Sequence, residues 1–215
     1  MNIELLNYFG NDLMVVNAAR VSYGKNKSIL DASDQGLINY LVKHGHTSPF
    51  RHPQLQFRIQ CPIFVERQLF KHQVGLTANS ISGRYVDFSD TYHFPKELRA
   101  QSTDSKQGSS GVIHNPSLIK EMEEHIIRSQ ELYRKLCEAG VAKEQSRIIL
   151  PLALETQFIW TGSLLAFIHF FNLRLEAHAQ QETREVARAM LDKIAGLEEA
   201  PFKFSLAAFK LMDCA

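Results

Sequence analysis

A chain of 215 residues with 45% hydrophobic residues is long enough to bury a sizeable core and fits a single domain, residues 1–215. A formal net charge of +1 gives no general electrostatic reason to expect nucleic-acid or membrane partners. The three scattered cysteines, Cys61, Cys137 and Cys214, match neither a zinc spacing nor a disulfide framework and point to a reducing compartment.

The opening "MNIELLNYFGNDLMVV" lacks the basic start and cleavage site of a secretory signal, so a cytoplasmic location is expected. "VVNAARVSYGK", residues 15–25, is read as leading into a loop. A helix is predicted over about 33–43, closed by Gly45. "LQFRIQ" alternates, with Leu55, Phe57 and Ile59 on one side, and predicts a half-buried strand. Pro62 suits the first position of a helix running to about Gln73. "GRYVDFSDTYHF" reads as extended.

Residues 99–117 are rich in Ser, Gly and Gln and read as a long loop, of the kind that often covers a site. An amphipathic helix is predicted over 117–137, with Pro116 before it and Gly140 closing it. An apolar helix is expected from near Pro151 to about His178. Its core, "FIWTGSLLAFIHFF", is shorter than the roughly 20 apolar residues that a bilayer demands. "QETREVARAMLDKIA" is helical, and "APFKFSLAAFKLM" ends the chain. Few strands and several helices without strict alternation predict an α+β domain. Its expected architecture is a small mixed or antiparallel sheet against several helices, including a long central apolar one.

Three constellations can carry chemistry. The segment 67–89 concentrates Arg67, Gln68, Lys71, His72, Gln73, Asn79, Ser80, Ser82, Arg84 and Tyr85. On the predicted helix Gln68 and His72 share a face. Gly83 permits close backbone approach, and Arg84 can grip a phosphate with two bonds. A solvated helix end followed by a polar turn is the bland alternative. The second constellation is Arg147 before the apolar run, with His169, Asn172, Arg174, His178 and Gln180 near its end. An Arg after so long an apolar run needs a partner or water, and Glu176 or Glu182 are the ordinary candidates. The third, "KHGHTSPFRHP", brings His44, His46 and His52. No carboxylate or thiolate stands at matching spacing, so no metal site is expected, and ring stacking on a planar ligand is the functional reading. Dinucleotide-fold glycines, a P-loop and a G-x-S-x-G elbow are all absent from the sequence.

Together these segments resemble the flavin-dependent thymidylate synthases. The likeness runs from "AARVSYG" through "KHGHTSPFRH", "IFVERQLFKHQ", "NSISGRY" and "KQGS" to "RIILPL", "FNLR" and "HAQ". The family signature of Arg-His-Arg, seven or eight residues, then Ser resembles Lys71-His72-Gln73 followed by eight residues and Ser82. The resemblance implies FAD as cofactor, reduced by NADPH, and 5,10-methylenetetrahydrofolate as one-carbon donor. It implies conversion of dUMP to dTMP without a cysteine nucleophile, in a homotetramer whose active sites are shared between subunits. It further implies that Gln68, Ser82, Gly83, Arg84, Arg147 and Arg174 hold dUMP, with Arg174 catalytic at the uracil edge. Ser22, Ser48, Lys71, His72, Gln73, Asn79 and His178 are implied for FAD, and His46 for stacking near the flavin, where folate or nicotinamide binds.

The departures cluster on the flavin side. Lys71 and Gln73 stand where the signature has arginines, and Ser80 where many members have Glu. Ser163, Leu165 and His169 stand where many have Asn, Arg and Asn. Two alternatives therefore remain open at this level: a variant forming 5-hydroxymethyl-dUMP, and a nucleotide-binding homologue without catalysis.

Overall fold

A computed structural model of the chain describes residues 1–88, 90–104 and 106–212; Cys214 lies outside the described residues. In chain order the elements are β1 (Asn2–Phe9), α1 (Asp12–Arg20), α2 (Ala32–Lys43), β2 (Gln54–Pro62), α3 (Ile63–Leu69), β3 (Leu76–Ser80), β4 (Leu98–Gln101) and β5 (Ser109–Ile113). Then come α4 (Pro116–Glu138), α5 (Lys143–Ser146), β6 (Glu155–Ser163), α6 (Leu164–Arg174), α7 (Gln181–Ala195) and α8 (Lys203–Ala208). Strands β1, β2, β6 and β3 pair in that order into an antiparallel sheet, and β4 and β5 form a separate hairpin. The α+β expectation holds, with the sheet antiparallel.

One face of the sheet builds the core. Leu55, Phe57 and Ile59 point inward from β2, as their alternation predicts, beside Phe158 and Trp160 of β6. They meet Phe167, Phe170 and Phe171 of α6 and Val186, Met190, Leu191 and Ile194 of α7. Trp160 lies edge-on to Phe167 and Phe170, with ring centroids 5.4 and 5.1 Å away, a favoured geometry for aromatic quadrupoles. A second cluster joins Val15, Val16, Ile38, Leu41 and Phe50 to Leu165 of α6.

Four sequence expectations are corrected. Residues 15–25 are not simply a loop approach, because α1 precedes and includes half of them. Its start is fixed by the Asn11 side chain, which accepts from the Met14 amide, and Gly24 in the left-handed region ends the following 3-10 turn. The long apolar helix expected from near Pro151 to about His178 is instead β6 followed by the 11-residue α6, so the apolar run 158–171 is half strand. Gln157, Ile159 and Thr161 face away from the core while Phe158, Trp160 and Gly162 face it. An outward Ile and an inward Gly blur that alternation and merge it with the uninterrupted helix run. Ser163 makes the switch by capping α6 through the Ala166 amide.

The helix after Pro62 stops at Leu69, not at Gln73, and Pro62 is its cap. Gly75, at φ +74, then turns the chain into edge strand β3. Residues 99–117 hold most of a hairpin instead of a loop. All five residues of β5 are exposed, so no apolar alternation marks it.

Candidate active site

The turn after α3 and the end of α6 meet. Arg174 donates from Nε to Nε2 of His72 at 2.9 Å, across 102 residues of sequence. His72 stands edge-on to Phe170, with ring centroids 5.1 Å apart, so the aromatic core fixes the ring plane. Burial, with the adjacent Arg174 charge second, holds its pKa down to about 4. His72 is thus neutral at pH 7, accepts at Nε2 and keeps its proton on Nδ1. Among the described residues the two terminal nitrogens of Arg174 take no partner, which leaves a charged planar fork for a ligand. The carboxylates named from sequence as partners for Arg174 do not serve: Glu182 pairs with Arg99 at 2.5 Å.

Gln68, on the last turn of α3, is held from the other side. Its Nε2 donates to Oε1 of Gln180, and its Oε1 accepts from the Thr183 hydroxyl at 3.1 Å. Gln68 and His72 do not share a helix face, since α3 ends between them; both face the α6–α7 junction through a tighter turn. His178 likewise lies beyond α6 and not one turn along it from Arg174. It is exposed and borders a polar cavity of about 450 Å³ between the β4–β5 hairpin and residues 177–181.

Ser82, Gly83 and Arg84 form a tight turn. The Ser82 carbonyl accepts from the Tyr85 and Val86 amides, and its hydroxyl from the Arg84 amide at 3.3 Å. A Cβ at Gly83 would fall 1.9 Å from the Phe88 ring, so a side chain there would have to displace that ring. The turn docks on α5 through Lys143–Asp87 at 3.1 Å and Arg84–Glu144 at 3.9 Å. This brings Arg84 to the segment that carries Arg147, half-buried in the 3-10 turn Arg147–Ile149. Within one chain no hydrogen bond among the described residues links this basic pair to Gln68, His72 and Arg174.

The expected flavin residues are dispersed. Lys71, Gln73 and Asn79 are exposed on the turn and edge strand that follow α3. Ser22 and Ser48 are exposed on 3-10 turns at Val21–Tyr23 and Ser48–Arg51, and the second packs toward α6 through Phe50 and Leu165. His46 is exposed beside Tyr40 and His44, with ring centroids 6.0 and 6.4 Å away. Their types suit a dinucleotide: a cation, hydroxyls and amides in reach of solvent. Three of the departures have structural occupations, while Lys71, Gln73 and His169 are exposed. Ser163 caps α6, Leu165 is 3% exposed inside the second core cluster, and the Ser80 hydroxyl donates to Glu66 at 2.8 Å. Leu165 therefore cannot touch a ligand.

In the sequence Gln180 stands out only as part of a polar cluster, and Thr183, Glu182, Arg99 and Glu66 carry no motif that marks them as site residues. An acidic residue in the first turn of α7 was the one signal available for Glu182; nothing local distinguishes Arg99. Cys61 is buried in β2, and burial, with Glu66 and Glu155 nearby, pushes its thiol up to about 12. It is inert as a nucleophile.

Comparisons with known proteins identify the family. The profile of the family described as "Thymidylate synthase complementing protein" matches residues 4–201. The flavin-dependent thymidylate synthase of Kosmotoga olearia is 41% identical over 191 residues, covering 87% of this chain and 82% of that one. The flavin-dependent thymidylate synthase of Thermus thermophilus is 38% identical over 190 residues, covering 88% and 70%. The crystal structure of the UMP/dUMP methylase PolB from Streptomyces cacaoi, bound with 5-Br dUMP, superposes with a TM-score of 0.88. It is 28% identical and covers 98% of this chain and 95% of that one. The chain belongs to the thymidylate synthase complementing protein family, alongside the flavin-dependent thymidylate synthases.

Proposed function

We propose that the protein methylates dUMP to dTMP, using FAD reduced by NADPH and 5,10-methylenetetrahydrofolate as the one-carbon donor, and releases tetrahydrofolate. The observation that carries this reading is the Arg174–His72 contact. A neutral histidine holds the Nε edge of the guanidinium and leaves its fork aimed elsewhere. A cation so fixed is suited to a uracil carbonyl on which negative charge develops, and costs no reorganisation when that charge appears. Simple phosphate binding would not need it.

In this reading Gln68, Arg147 and Arg174 hold the nucleotide, with Ser82, Gly83 and Arg84 on its phosphate and sugar. Lys71 supplies the positive charge toward the flavin phosphates. His72, Gln73, Asn79, Ser22, Ser48 and His178 complete the flavin contacts, and His46 stacks where folate or nicotinamide enters. FAD, when bound, supplies the reducing electrons; the protein's part is to orient and polarise. Among the described residues no helix is long and apolar enough to cross a membrane; a cytoplasmic location belongs to the same reading. A homotetramer in which neighbouring copies complete each site is part of the same reading.

The test is the mass of the nucleotide product after incubation with FAD, NADPH, methylenetetrahydrofolate and dUMP under low oxygen. A mass equal to dTMP is expected. A hydroxymethyl product would mean that the altered flavin side redirects the one-carbon group. Unreacted dUMP with active controls would reject methylation.

A further inference from the structure

We infer that Glu182 and Arg99 are positioning residues for the nucleotide glutamine Gln68, acting through Gln180. The inference rests on the dUMP reading of the site. A glutamine carboxamide is nearly symmetric in shape, and either end can face a given partner. Which end faces which is settled here by a chain of bonds with one polarity. The Glu182 carboxylate only accepts, and its Oε2 takes a proton donor from Nε2 of Gln180 at 2.9 Å. That leaves Oε1 of Gln180 to accept from Nε2 of Gln68. Oε1 of Gln68 then accepts from Thr183 at 3.1 Å. Turning Gln180 over would set its amide hydrogens against those of Gln68 and its oxygen against the Glu182 carboxylate, and turning Gln68 over would set its oxygen against Oε1 of Gln180.

The anchor of the chain is charged and buried. Glu182 is 7% exposed. Burial pushes its carboxyl upward, but the Arg99 and Gln180 bonds outweigh this and hold it below the ordinary carboxylate range. Arg99 comes from β4 and uses three nitrogens: Nη2 on Glu182 at 2.5 Å, Nη1 on Gln181 at 3.0 Å and Nε on Ser109 of β5 at 3.1 Å. Docking of the β4–β5 hairpin is thereby tied to the orientation of the glutamine on α3. After these bonds Gln68 retains one N–H and one oxygen lone pair for a ligand.

The experiment compares dUMP affinity by calorimetry for the full-length protein with FAD, and for the Glu182→Gln, Gln68→Ala and combined variants. Thermal melts confirm that each is folded. Glu182→Gln keeps shape and removes the charge. It is expected to weaken dUMP roughly tenfold, the scale of one charge-assisted hydrogen bond. The double variant is expected to bind no more weakly than Gln68→Ala alone, because the two act as one unit. Amide exchange at residues 98–101 and 109–113 is expected to quicken in Glu182→Gln. Additive losses of affinity, or unchanged exchange in the hairpin, would overturn the proposal while leaving the substrate reading in place. Wild-type protein that does not bind dUMP would instead remove the reading on which it rests.

Discussion

Removing Arg174 tests the site at its most specific contact. In Arg174→Ala, His72 loses a donor at 2.9 Å and a neighbouring positive charge. Burial is the larger cause of its depressed pKa, and Arg174 the smaller. Desolvation remains in the variant, so the His72 midpoint should rise from about 4 but stay well short of 6.5. Removing one preorganised cation from developing charge lowers turnover by roughly 100- to 1,000-fold in comparable sites. Two readouts follow. Proton NMR of the His72 ring across pH reports the midpoint, and dTMP formation reports turnover. In the wild type the unfolded chain takes the proton first as pH falls. The stability that neutral His72 contributes is therefore present above pH 6.5 and lost progressively toward about 4. The variant should begin to protonate the folded ring earlier and show a shallower loss. An unmoved midpoint would refute the electrostatic link between the two side chains. Near-normal turnover would take Arg174 out of the chemistry.

Other substitutions probe the frame. Gly162→Ala places a Cβ 2.5 Å from the Gly75 carbonyl, which is backbone and cannot swing away; a loss of about 1–3 kcal/mol is expected by thermal unfolding, and an unchanged melt would show that β3 and β6 can separate without cost. Asp12 accepts from the Phe204 and Ser205 amides at 2.7 and 3.1 Å and from the Ser205 hydroxyl. Asp12→Asn must set an amide group against one of those donors, so urea unfolding at pH 7 should report a loss of about 1–3 kcal/mol. Burial raises the Asp12 pKa to about 6, so its own contribution is full below 3.8 and lost as pH rises through about 6. That pH dependence should vanish in Asp12→Asn; its persistence would assign it elsewhere. Arg84→Ala should weaken dUMP binding roughly tenfold by calorimetry, and equal affinity would mean that the phosphate lies elsewhere. Leu165→Arg should destabilise the fold by several kcal/mol because the charge would enter an apolar cluster; a stable variant with tighter FAD binding would refute this.

Fold legibility followed burial. Strand β2 and helices α2, α4 and α7 were readable because each presents one wet face and one dry face, and the residue period records which is which. Strand β6 was not, because an outward Ile159 and an inward Gly162 blur its alternation and an apolar helix follows without a break; Ser163 switches the geometry with a single capping bond. In the β4–β5 hairpin β5 is exposed throughout and β4 is half-buried at three consecutive residues, so neither carries a period. Its order comes from Arg99 reaching α7, a contact invisible along the chain.

The sequence by itself determined the class of fold and the family, since residue types and their spacing survive without coordinates. Tertiary structure alone decided who meets whom. Arg174 faces His72 instead of a nearby carboxylate, Leu165 belongs to the core instead of a ligand, and Glu182 and Arg99 orient Gln68 from far away in sequence. Local periodicity specifies which way a side chain points, but pairing across a hundred residues is set by how elements stack, and only the packed chain fixes that.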